Sequence, residues 1–357
     1  MGSETKLHFW GNRERNPIPH IGILTSTLWG QKTLAHLSLT TDSHEIQNQA
    51  SNSFDLAHRA VIFEGDCLDL LASIPTDSIQ LIVTSPPYNI GKEYEHRVDL
   101  NKYLLQQQRV IAECHRVLRS SGSICWQVGN FVDRGSVIPL DTLLFPAFNS
   151  LGMKMRNRII WHFEHGLHCA NRLSGRYETI MWFTKSDDYI FNLDPIRVPQ
   201  KYPGKKHFKG PRAGEYSGNP LGKNPGDVWV FPNVKSNHVE KTDHPCQYPV
   251  ELVERLVLSL TKRDDWVLDP FLGSGTTVVA ALLHDRRGAG SEMEHSYCKI
   301  ARDRYRQLLD GTLRTRAMNE PVFDPKKAGK SLTQSPWQER PLLQDRLLEQ
   351  AKDYESR

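Results

Sequence analysis

Hydrophobic and polar positions along the chain fall into a regular pattern from Val61 onward, after a polar stretch without sustained periodicity. Val61-Ile-Phe-Glu-Gly-Asp66 is a short apolar run closing on Gly-Asp, and Leu68 to Leu71 opens a helix. Gln80 to Thr84 is rich in β-branched residues and stops at Pro86-Pro87, which lack the N–H a strand ladder needs. Leu104, Ile111, Cys114 and Leu118 recur at helical spacing, with Gly122 placed to end that helix. Ser123 to Val128, Arg158 to His162 and Thr179 to Phe183 read as strands. Between the first two of these, Leu140 to Leu151 reads as a helix stopped by Gly152. Past Pro249 come helix Val250–Thr261, strand Trp266–Asp269, helix Thr276–Leu283, strand Gly288–Glu292 and helix Tyr297–Leu309. Strands alternating with helices predict an α/β fold with a doubly wound, mostly parallel, Rossmann-like sheet.

The alternation fails between about Asp194 and Asp243, where prolines and glycines forbid long regular elements. A stretch of that length inside a compact domain is a functional insertion or disordered. Charge sharpens the picture. Arg197 to Lys241 holds nine bases and three acids, a net of +6, while the whole chain sums to +4, so the rest carries about −2. The positive charge is local, and its bland alternative is a solvated face. The expected divisions are an N-terminal extension (1–55), two halves of one domain (56–193 and 244–312) around an insertion (194–243), and a charged tail (313–357). No apolar run approaches the ~18 residues of a membrane span, and no signal core follows the N-terminus, so a cytoplasmic protein with no membrane partner is expected. The six cysteines are scattered without a CxxC pair and the fifteen histidines without HxH or HExxH, so no disulfide framework and no metal are expected.

Two motifs sit where a predicted strand ends: Thr84-Ser85-Pro86-Pro87-Tyr88-Asn89, and Asp269-Pro270-Phe271-Leu272-Gly273-Ser274-Gly275-Thr276-Thr277. Ligands of open α/β sheets bind at the carboxyl ends of strands, so both motifs point to one rim. Gly273 and Gly275 let backbone approach a ligand closely. No Gly-Lys-Ser/Thr follows, and Val278 replaces the third glycine of a dinucleotide fingerprint, so a ligand without a pyrophosphate fits better. Glu292, ending the next strand, can bind both hydroxyls of a ribose; the plain alternative is a tight turn and a solvated acid. In the first motif, the Ser85 hydroxyl and the Pro86 carbonyl can accept both hydrogens of an amino group, and the Tyr88 ring offers a face for a base. Acceptors on both N–H groups would turn a delocalised amine's lone pair toward an activated methyl. A rigid Pro-Pro turn with a packing tyrosine is the structural alternative.

Together these motifs resemble the permuted, beta-type amino-DNA methyltransferases of bacterial restriction–modification systems, over roughly Val61 to Leu309. The resemblance implies S-adenosylmethionine as cofactor and double-stranded DNA as partner. A restriction endonuclease acting on the same site without binding this chain is the implied companion; the oligomeric state is left open. It implies catalytic roles for Ser85, Pro86, Pro87 and Tyr88. Cofactor contacts would come from Asp66 and Cys67, from His244 and Gln247 of His-Pro-Cys-Gln-Tyr-Pro, and from Asp269, Phe271, Gly273, Ser274, Gly275, Thr276, Thr277 and Glu292. The family's target-recognition region falls on the basic insertion, where Lys201, Lys205, Lys206, Lys209, Arg212, Lys223 and Lys235 would meet phosphates. His207, Phe208, Tyr216, Trp229 and Asn237 interleave as further contacts. Thr-Ser-Pro-Pro-Tyr is the form usual in cytosine-N4 enzymes, whereas adenine-N6 enzymes usually carry Asp or Asn before Pro-Pro. Cytosine N4 is therefore favoured over adenine N6, with a non-catalytic DNA-binding relic as the distant alternative. Pro245-Cys246-Gln247 resembles the nucleophile of carbon-5 enzymes, but there the glycine loop precedes it, so Cys246 is read as a small packing residue.

Overall fold

In the computed structural model, residues 50–89, 97–164, 166 and 168–322 are described. Nearly all of the expected N-terminal extension, and the tail from residue 323, lie outside them. Strands β1 (Ala60–Glu64), β2 (Ile79–Thr84), β3 (Leu118–Val128), β6 (Lys154–His162), β7 (Tyr177–Thr184), β8 (Val228–Val230), β9 (Trp266–Asp269) and β10 (Arg287–Glu292) form one sheet. Its order is β1-β10-β9-β2-β3-β7-β6-β8. The five strands from β1 to β3 are mutually parallel, and β7 runs against its neighbours β3 and β6. The expected doubly wound, mostly parallel Rossmann-like sheet is present.

Helices α1 (Cys67–Ser73), α2 (Leu100–Val117), α3 (Leu140–Ser150), α4 (Val250–Leu260), α5 (Thr276–Leu283) and α6 (His295–Leu309) flank it. Alternate residues of a strand face opposite sides. Ile82 accordingly joins a core with Leu70, Ile111, Trp126 and Phe148, while Leu81 and Val83 join a second core with Trp182, Val253 and Val257. Every residue of β2 is buried, as a strand covered on both faces requires. From β9 the chain winds through α5 to β10 on one side, and from β2 through α2 to β3 on the other. The winding reverses between β9 and β2, and a crevice opens at such a reversal.

One expectation needs correction. Helix α2 ends at Val117, not at Gly122; Leu118 turns extended and starts β3. Gly122 lies inside that strand, where a Cβ would come within 2.6 Å of the buried Leu118 side chain, so the glycine serves packing. The insertion also holds two short elements, a 3-10 turn at Asp194–Ile196 and the edge strand β8. A hairpin of β4 (Asn130–Asp133) and β5 (Ser136–Pro139) went unpredicted.

Candidate active site

The two motifs meet at the reversal. Ile82 pairs with Leu268 in the β2–β9 register, so Thr84 and Asp269 reach the rim almost level. The Thr84 hydroxyl donates to Asp269 Oδ1 at 2.6 Å, and the Phe271 amide reaches the same oxygen at 3.1 Å. The hydroxyls of Tyr248 and Thr277 donate to Oδ2, each at 2.7 Å. Asp269 is fully buried, and burial pushes its pKa up against these four donors. It thus ties the serine turn, the glycine loop and the His244–Pro249 segment into one unit. Beside it lies a cleft of about 880 Å³ lined from both motifs.

Asp66, Cys67, His244, Gln247, Phe271, Gly273, Ser274, Thr276 and Glu292 all line this cleft; Asp269, Gly275 and Thr277 do not. Asp269 and Thr277 spend their side chains on the buried knot. Gly275, at φ 81°, starts α5, and a Cβ there would come within 2.9 Å of Ala301 on α6, so its need is for helix packing. Gly273, at φ 52°, gives its N–H to Glu292 Oε2 at 2.9 Å, and a Cβ on it would meet His244 Nε2 at 2.9 Å. Burial raises the pKa of Glu292. Asp66 caps α1 by accepting the Leu68 amide, and burial pushes the Cys67 thiol up to about 12, so it stays a thiol. The Gln247 side chain bridges Thr242 and the Glu240 carbonyl, which fixes its loop.

Ser85, Pro86, Pro87 and Tyr88 line the other side. Ser85 Oγ lies 2.9 Å from the Tyr88 hydroxyl, which donates to Glu178 Oε2 at 3.0 Å. Gln127 Nε2 donates to that same oxygen at 2.7 Å. The Tyr88 ring packs on Gly129, where a Cβ would come within 3.0 Å of it. Burial, reinforced by the Glu178 charge, raises the Tyr88 pKa, which keeps the phenol protonated. Asn89 clamps Val98 with two bonds, of 2.7 and 2.8 Å, and so fixes the end of the turn. Sequence reading missed Glu178 and Gln127, each a polar residue within an apolar strand.

All seven bases expected to meet phosphates are exposed. Lys235 lines the cleft, and the other six do not. Lys201, Lys206 and Lys209 lie over the rings of Tyr202, Tyr216 and Phe208, and Arg212 pairs with Glu215. Phe208 and Tyr216 are exposed, but Trp229 is buried, its indole N–H on the Gly226 carbonyl and its ring under Arg255. It cannot be a surface contact. Cys246 is likewise not a packing residue: it is exposed and lines the cleft. Among the described residues no helix is long and apolar enough to cross a membrane.

A cofactor-type glycine loop and a Ser-Pro-Pro-Tyr turn on one rim of a doubly wound sheet define the class of amino-directed methyltransferases. The family model described as DNA methylase, N6_N4_Mtase, matches residues 79–303, and the chain belongs to that family of DNA methyltransferases. It is 52% identical over 277 residues to the type II methyltransferase M.BglII of Bacillus subtilis, covering 77% of this chain and 76% of that protein. The solved PvuII DNA methyltransferase (cytosine-N4-specific) matches with a TM-score of 0.56 at 20% identity, over 74% of this chain and 94% of its own. TTHA0409 of Thermus thermophilus, solved in complex with S-adenosyl-L-methionine, matches with a TM-score of 0.50 at 28% identity, over 70% and 96%.

Proposed function

We propose that this DNA methyltransferase transfers a methyl group from S-adenosylmethionine to N4 of a cytosine swung out of duplex DNA. The observation that carries the reading is the Thr84–Asp269 bond of 2.6 Å, which sets the Ser-Pro-Pro-Tyr turn against the glycine loop at one cleft. The residues fit the cofactor. An acid at a strand end, a glycine backbone and the Phe271 ring suit an adenosine that carries no phosphate. Glu292 and Asp66 would hold it, with His244 closing over Gly273. Bound there, the cofactor supplies an electrophilic methyl on a sulfonium sulfur.

The protein's task is to present the amine. Unstacking a base costs a few kcal/mol, and stacking on Tyr88 returns roughly 1–3 kcal/mol. Ser85 Oγ and the Pro86 carbonyl accept the two amino hydrogens and hold the nitrogen's lone pair toward the methyl. Exposed lysines of the 194–243 insertion neutralise phosphates, and Lys235 does so nearest the cleft. Serine rather than Asp or Asn before Pro-Pro favours cytosine N4. The test is to digest DNA methylated by the protein to nucleosides and weigh the modified one. N4-methyl-2′-deoxycytidine is expected, and N6-methyl-2′-deoxyadenosine would replace the cytosine reading with the adenine one.

A further inference from the structure

The rim carries a polar chain that runs from Ser85 through Tyr88 to Glu178, beyond the contacts that hold the amine. Tyr88 has one proton, and an ionised carboxylate has none to give, so the 3.0 Å contact puts the phenol proton toward Glu178. The Tyr88 oxygen therefore meets Ser85, 2.9 Å away, with a lone pair, and Ser85 is the donor of that bond. Ser85 then faces the cleft with lone pairs only, as an acceptor for an incoming N–H. Gln127, at 2.7 Å from Glu178 Oε2, holds the carboxylate in place from β3. The order of donors has one direction, from cleft to Glu178. Asp269 cannot serve in its place, since four donors already occupy it.

Resting on the proposed function, we infer that Ser85, Tyr88 and Glu178 form a proton exit from the methylated amine, with Glu178 as its final acceptor. As the amino nitrogen takes the methyl group it gains positive charge, and one of its protons must leave in the same step. Its N–H bond breaks with the electron pair remaining on nitrogen, and the proton joins Ser85 Oγ. The serine's own proton passes to the Tyr88 oxygen, and the phenol proton passes to the Glu178 carboxylate. The base leaves neutral, Ser85 and Tyr88 are restored with their bonds reversed, and Glu178 later releases the proton to water. Glu178 never touches the base; it acts through Tyr88 and Ser85 as a positioning residue.

Glu178→Gln tests this, because an amide oxygen still accepts from Tyr88 but cannot keep a proton. Single-turnover methyl transfer by cofactor-loaded protein in excess over duplex DNA is measured for the wild type, Glu178→Gln, Tyr88→Phe and the double variant. Dissociation constants for DNA and for S-adenosylmethionine are measured alongside. A lost proton acceptor predicts about a 100-fold slower transfer in Glu178→Gln, both dissociation constants within about twofold of the wild type, and a double variant no slower than its slower parent. Transfer by Glu178→Gln within about threefold of the wild type would overturn the exit. So would weakened DNA binding with an unchanged rate in the bound complex, which marks a purely structural carboxylate. If the wild type itself transfers no methyl group to DNA, the proposed function has failed, a result distinct from either.

Discussion

The rim between β2 and β9 and the basic segment 194–243 have opposite constructions. At the rim, four donors converge on the fully buried Asp269, and hardly a side chain there is free to choose its place. In the insertion, the seven expected phosphate-binding side chains are exposed, three resting on aromatic rings and one paired with an acid. Chemistry that depends on orientation needs positions fixed to fractions of an ångström, and buried hydrogen bonds supply that. Phosphate attraction is long-ranged and tolerant, so exposed lysines on a loop suffice. Under the proposed function, stability and rate belong to the rim and DNA affinity to the basic segment.

Four substitutions press on that division. Asp269→Ala leaves three buried hydroxyls without their acceptor and is expected to cost about 3–5 kcal/mol of stability, read from the denaturant midpoint. Ser85→Ala removes one acceptor for the amine. It should slow single-turnover transfer by about 100-fold, ~2.7 kcal/mol, while the melting midpoint stays in place. Gly275→Ala sets a side chain at φ 81° and against Ala301, and should cost about 1–3 kcal/mol of stability by the same denaturant measurement. The smallest effect belongs to Lys206→Ala with Lys209→Ala. The log–log dependence of DNA affinity on salt should flatten by ~0.9 for each phosphate that is no longer neutralised, with no change of rate in the bound complex. A rate defect in that lysine pair would break the division between the two regions.

Much of the rim was legible because local chemistry and global fold agree there. Strand Trp266–Asp269 and helix Thr276–Leu283 lie where apolar runs and the glycine loop put them. Both motifs follow strands, and a doubly wound sheet brings such ends together. Glu178 was not legible. In Tyr177-Glu178-Thr179-Ile180 it is one polar residue opening an apolar strand, and only the antiparallel placement of β7 beside β3 carries it to Gln127 and Tyr88. The packing of Asp269 and Gly275 was illegible for a related reason: one is tied into the buried knot, the other lies against Ala301. A motif marks residues that a site needs, but does not separate those facing the ligand from those holding the loop behind it. Helix α2 was drawn too long because Leu118 continues the helical spacing, while its burial belongs to β3. The β4–β5 turn left a faint trace in Arg134-Gly135, both at positive φ.

The central claim is that the amine is held at Ser85 while the cofactor lies along the glycine loop of the same cleft. Its most direct measurement is a crystal structure of the protein with demethylated cofactor and its duplex substrate. The account predicts a cytosine outside the helix, its exocyclic nitrogen about 3 Å from both Ser85 Oγ and the Pro86 carbonyl, and a ribose on Glu292. A target base still stacked in the duplex beneath an occupied cofactor site, or a cofactor lodged away from Gly273, would contradict it.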